Sequence, residues 1–194
     1  IKLNPRTGRW TMMGVDEEDD KGMGNDDLVG KVQAQAPPTK SSPIGEIFYG
    51  YLMLCANSFQ PAMGYLYRAL ALQQSDPLLC LLCGVASLGR STNRQVDNRN
   101  HTIIQGMALF THYAELRGDI PEVDYNFARA YHHLNLVHLA VPRYERVLER
   151  ASSKASKGTF DMAREAAFNL AMIFTQSGSP DLARHLYRTW LAVE

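Results

Sequence analysis

The sequence has no surplus of either charge: 20 lysines and arginines stand against 20 aspartates and glutamates. A chain so balanced offers no global cationic field to hold nucleic acid and no basic amphipathic helix for a membrane surface. No run approaches the roughly 18 apolar residues of a membrane span, and no signal peptide opens the chain. Cysteine is scarce. Cys55, Cys80 and Cys83 cannot all pair internally, so a reducing compartment is the natural reading. Cys80-x-x-Cys83 looks like half a zinc site, but no second pair exists and both residues fall where a helix packs inward, so a packing role is expected.

Reactive motifs are missing as well. There is no nucleophile elbow, no paired catalytic carboxylate motif and no glycine-rich dinucleotide turn, so no catalytic residue, cofactor or metal is expected. Gly24, Gly30 and Lys31 hint at a phosphate loop, yet five residues instead of four separate the glycines, and Val32 follows the lysine. His132, His133 and His138 do not share a helical face, because His133 and His138 are five apart across a turn. An enzyme is not expected.

What the chain does have is a repeat. Between Asp124 and Glu149, Ala128 and Tyr131 precede a polar break at Asn135, and Ala140, Tyr144 and Val147-Leu148 follow. Small residues let two helix axes approach while large ones fill the remaining gaps, and Asn tolerates the left-handed angles of a tight turn. Gly50, Asn57, Ala62 and Leu66 repeat the plan, as do Cys83-Gly84, Gly106 and Phe110, and then Ala171, Gly178, Ala183 and Tyr187. These are the offsets of the tetratricopeptide repeat, or TPR. The second helices open on Ala62, Gly106, Ala140 and Ala183, at intervals of 44, 34 and 43 residues. The two long intervals coincide with polar stretches near 89–100 and 150–161, which read as loop insertions. No stretch alternates long enough to argue for a sheet.

The expected fold is therefore all-α: a TPR-type solenoid of about four hairpins near 44–74, 77–117, 122–150 and 161–193, forming a C-terminal array over 44–194. Residues 1–43 carry the acidic run Asp16–Asp20, several glycines and prolines and no lasting apolar period, so they read as a flexible acidic linker. Trp10-Thr11-Met12-Met13 is a candidate docking element within it, against the simpler reading of a solvated tether. The chain starts at Ile1 and not Met, as a piece of something longer would.

Stacked hairpins turn their first helices toward a concave surface. By the offsets, that surface carries Ile47, Tyr51 and Leu54, then Leu81 and Val85, then Tyr125, Arg129, His132 and His133, and then Phe168, Met172 and Gln176. So apolar a stripe points to a protein partner, with coverage by the chain itself as the alternative. Arg143, Arg146 and Arg150 make the convex side locally basic, and in-helix pairing with Glu145 and Glu149 is expected to neutralise much of it.

Three stretches carry a more specific likeness: HTIIQGMALFTHYAELRG, DYNFARAYHHLNLVHLAVPRYERVLE and AREAAFNLAMIFTQSGSPDLARHLYRTWL. Over about residues 46–193 the chain resembles the C-terminal end of the TPR subunit of TFIIIC, the general transcription factor for RNA polymerase III. The resemblance implies a nuclear, noncatalytic scaffold that binds other TFIIIC subunits. It also implies that TFIIIB is recruited through N-terminal repeats outside this chain, with DNA reached only indirectly and no membrane involved. The alternative is a generic TPR adaptor or co-chaperone that captures a peptide tail. That mode needs a basic carboxylate clamp, for which only Arg129 is placed.

Overall fold

The computed structural model describes residues 2–4, 9–11, 42–94, 96–152 and 162–192. Contacts divide the chain into Ile1–Ser41 and Ser42–Glu194. In the first unit, strands β1 (Lys2–Asn4) and β2 (Arg9–Thr11) pair antiparallel, with Leu3 opposite Trp10. A three-residue strand is too short for its alternation to register in a sequence. The acidic run Asp16–Asp20, Met12, Met13 and the Gly24–Lys31 stretch lie outside the described residues.

The second unit is a helical array. Its helices are α1 (Pro43–Cys55), α2 (Phe59–Leu72), α3 (Pro77–Ser91), α4 (Arg99–Arg117), α5 (Pro121–His133), α6 (Val137–Ser152), α7 (Ala163–Gln176) and α8 (Pro180–Leu186), which continues as a π-helical turn over Tyr187–Leu191. Prolines open α1, α3, α5 and α8, where the first amide has no intrahelical acceptor to lose. Asp76 caps α3 by accepting a hydrogen bond from the Leu78 amide at 2.8 Å.

Three hairpins share one turn. Asn57, Asn135 and Gly178 stand at equivalent places with φ of 55°, 60° and 80°. Each is followed by an amide that reaches back five residues in the Schellman pattern: Ser58 to Met53, Leu136 to Tyr131 and Ser179 to Phe174, all at 2.8 Å. In the second hairpin the equivalent residue is Ser91, which is still helical. There the chain runs on to Asn98, whose side chain caps α4 by accepting from the His101 amide at 2.9 Å. The helices thus take up both ends of the first insertion, leaving fewer loop residues than its composition implied.

Helices pair as α1–α2, α3–α4, α5–α6 and α7–α8, and second helices pack on the next first helix, as α2 on α3 and α6 on α7. Close approach depends on small residues. A Cβ at Gly84 would sit 2.8 Å from the Phe110 ring, and one at Gly50 would sit 2.6 Å from Leu66 Cγ. Phe110, Tyr113, Tyr144 and Leu66 are buried at these crossings, each large side chain contributing on the order of 2 kcal/mol of apolar burial. The array is a TPR-type solenoid whose core runs without a break through three overlapping clusters.

Candidate functional site

Taking Gly50, Gly84, Ala128 and Ala171 as position zero of each repeat puts the expected groove residues on a common ruler. At position +1 stand Tyr51, Val85, Arg129 and Met172, and all four are exposed. This is the one register of the first helices where the expected stripe stays open to solvent in every repeat. At position −3 the outcome is mixed: Phe168 is exposed, Ile47 and Leu81 are half-buried, and Tyr125 is buried. Ile47 packs on the core shared by α1, α2 and α3, Leu81 on that of α3, α4 and α5, and the Tyr125 ring lies 6.1 Å from that of Tyr144. These three side chains hold helices together and offer a partner little area.

The structure gathers others into cavities. Leu54, Val85, Arg129 and His133 line one of about 310 Å³, floored by Phe59, Leu88 and Phe110. Arg129, His132 and His133 also border a neighbouring cavity of about 260 Å³ with Tyr144 and Asn169. Tyr125 and Phe168 meet Arg164 in a third of about 300 Å³. Tyr51, Met172 and Gln176 line none of these and are exposed.

Arg129 is the one lysine, arginine, aspartate or glutamate that lines the first two cavities. The Arg129 guanidinium lies 5.9 Å from the Tyr125 ring centroid, so its charge stays available over an aromatic face. Burial, and then the neighbouring His133, hold the His132 imidazole below its usual value, keeping it neutral. The Tyr144 phenol is pushed up by burial and stays protonated. Nothing in this set is poised as an acid–base pair. Burial also pushes the Cys83 thiol up to about 12 and raises that of Cys80, so neither supplies a thiolate. Cys55 is exposed. Among the described residues no three His, Cys, Asp or Glu side chains converge as metal ligands would.

The sequence reading missed a pair of asparagines at position −2. Asn126 donates to the Tyr113 hydroxyl at 2.9 Å and Asn169 to the Tyr125 hydroxyl at 3.3 Å, each tying one repeat to the one before it. Recurrence of a polar residue at one offset on otherwise apolar helices was the available signal. The basic convex face needs correction as well. Arg143 Nη1 lies 2.6 Å from Asp124 Oδ1, Arg146 Nη2 lies 3.2 Å from Asp124 Oδ2, and Arg150 Nη2 lies 2.6 Å from Asp119 Oδ1. The arginines of α6 therefore reach across to α5 and the turn before it, where a buried carboxylate interacts more strongly than the solvated Glu145 and Glu149 would.

No family model matches the chain. It is 35% identical over 169 residues to the transcription factor tau subunit sfc4 of Schizosaccharomyces pombe, covering 79% of this chain and 17% of that protein. It is 32% identical over 163 residues to the transcription factor tau 131 kDa subunit of Saccharomyces cerevisiae, covering 81% and 15%. Against general transcription factor 3C polypeptide 3 of Homo sapiens it is 28% identical over 150 residues, covering 76% and 17%. The chain spans between 15% and 17% of the length of these curated relatives.

Proposed function

From the premise that this chain is a relative of the TFIIIC subunits, we propose that it is a noncatalytic interaction scaffold of the RNA polymerase III apparatus, forming the C-terminal TPR array of its subunit. Its inward face takes a segment of another TFIIIC subunit. TFIIIB is engaged through repeats outside this chain, DNA is reached only through the complex, and the site of action is the nucleus. The observation that carries the reading is the open +1 stripe of Tyr51, Val85, Arg129 and Met172, three-quarters apolar, beside the cavity lined by Leu54, Val85 and His133. Leaving such a face wet is unfavourable, and a partner's apolar side chains relieve that cost.

Replacing Tyr51 and Met172 together by glutamate tests this. Both are exposed, so helical content by circular dichroism is expected to stay unchanged while capture of the other TFIIIC subunits falls at least tenfold. Undiminished capture by the double variant would reject the groove as the contact face.

An adaptor that grips a peptide's terminal carboxylate is less well supported. Such a clamp needs several cations along the inward face, and of the +1 residues only Arg129 is one.

A further inference from the structure

On the ruler of repeat positions, the third repeat departs from the others in its polar residues. At +1 the other repeats carry Tyr51, Val85 and Met172, and the third carries Arg129. At +4 the first two carry Leu54 and Leu88, and the third carries His132. Four residues after the small opener of the second helix, the first two repeats have Leu66 and Phe110, and the third has Tyr144. All three are buried, so packing at this crossing does not call for a hydroxyl.

These departures converge on one place. Arg129, His132 and His133 of α5, Tyr144 of α6 and Asn169 of α7 line the cavity of about 260 Å³. Tyr144 is fully buried, and among the described residues its hydroxyl has no hydrogen-bond partner. Burial, and then Tyr125, keep the phenol protonated. Arg129 and Asn169 act on the hydroxyl in the opposite sense, which puts it on the side of the ring that faces the cavity they line. The Asn169 amide is close to it but outside bonding geometry, and already donates to the Tyr125 hydroxyl at 3.3 Å. A buried hydroxyl left unpaired is unfavourable.

Arg129 is the second unmatched group. It is exposed and, among the described residues, forms no ion pair, whereas Arg143, Arg146 and Arg150 all meet Asp119 or Asp124. No other lysine, arginine, aspartate or glutamate lines the cavity. Burial and the neighbouring His133 hold His132 neutral, so one permanent positive charge stands beside neutral donors.

We propose that this notch takes the side-chain carboxylate of an aspartate or glutamate in a partner's segment, which pairs with the Arg129 guanidinium and accepts from the Asn169 amide and the Tyr144 hydroxyl. The contact belongs to the segment that the scaffold reading above seats on the inward face, and rests on that reading. One cation matches one carboxylate. A phosphate group would bring nearly two negative charges to it, and a main-chain carbonyl would leave the guanidinium without a counter-charge. A peptide's terminal carboxylate is held by several cations, and Arg129 stands alone.

The test assembles the whole 194-residue chain with the other TFIIIC subunits. Arg129→Lys supplies an amine that a carbodiimide joins only to a carboxylate in direct contact. The expected result is an amide link from position 129, mapped by mass spectrometry to an aspartate or glutamate side chain of another subunit. A link to a C-terminal carboxylate, to the acidic run Asp16–Asp20, or no link at all overturns the proposal. Arg129→Gln is expected to lower capture of that subunit about tenfold while Arg129→Lys keeps most of it. Tyr144→Phe is expected to lower capture about threefold, with the thermal midpoint of the free chain unchanged or raised because the hydroxyl makes no bond there. Capture by Tyr144→Phe equal to that of the unaltered chain would also overturn it. The two readings fail separately. Loss of capture by the Tyr51 and Met172 variant with no link from position 129 would strike the notch and leave the groove. Undiminished capture by that variant with the link formed would reject Tyr51 and Met172 as contacts and keep the notch.

Discussion

Asp124 shows how much one buried charge organises. It is 2% exposed and sits against Arg143 and Arg146 of the partner helix. Glu46 holds the same place in the first repeat, paired with Arg68, the repeat equivalent of Arg146. Cys80 and Ala167 occupy the place in the other two, so ion pair and apolar contact alternate along the array. Removing the charge while keeping the shape takes the carboxylate from Arg143 and leaves Arg146 only the exposed Asp119, at 3.6 Å. Asp124→Asn is therefore expected to lower unfolding free energy by about 2 kcal/mol, less than a fully buried pair would lose because the arginines are about a third or more exposed. Urea denaturation checks this, and a change within about 0.5 kcal/mol would mean that the arginines resolvate at no cost. The pairing of Asp124 with α6 was not legible in the sequence. Glu145 and Glu149 stand closer along the chain, and only the crossing of two helices reveals the nearer carboxylate.

At the scale of the element, the hairpin turn decides the spacing between helices. Asn57 and Asn135 are the two residues other than glycine with positive φ among the described residues, and the offsets marked both as turn residues. Asn135→Ala is expected to cost about 1 kcal/mol, since a Cβ-bearing residue without a side-chain amide is disfavoured in the left-handed region, while Asn135→Gly should be neutral or slightly stabilising. Thermal unfolding of the pair separates a backbone cause from a lost side-chain contact: equal losses in both variants would assign the effect to the amide group. Helix count and helix type were legible because each first helix places a small residue twelve positions ahead of the next in three of the four hairpins. The second hairpin was harder to place, because its insertion is shared between helix ends and loop.

For the whole molecule, charge balance and stacking together set what it can bind. The arginine row of α6 is already matched by Asp119 and Asp124, and the chain is neutral overall. A mixed-sequence DNA duplex is thus expected to bind more weakly than about 10⁻⁴ M at physiological salt, the loose end of nonspecific association. Fluorescence anisotropy would detect an error here: micromolar affinity with a steep salt dependence would reveal a phosphate-binding surface.

The sequence by itself determined the class of the fold and the repeat period, because small and large residues at fixed offsets are compatible only with helices in close-packed pairs. It placed Tyr51, Val85, Arg129 and Met172 in one stripe with eight others and did not set them apart. Tertiary structure alone decided which of the twelve expected groove residues were already used. Tyr125, Ile47 and Leu81 carry the right chemistry for a partner, but helices they could not meet in the sequence now cover them. Burial depends on neighbours distant along the chain, and offsets within one repeat hold no record of them.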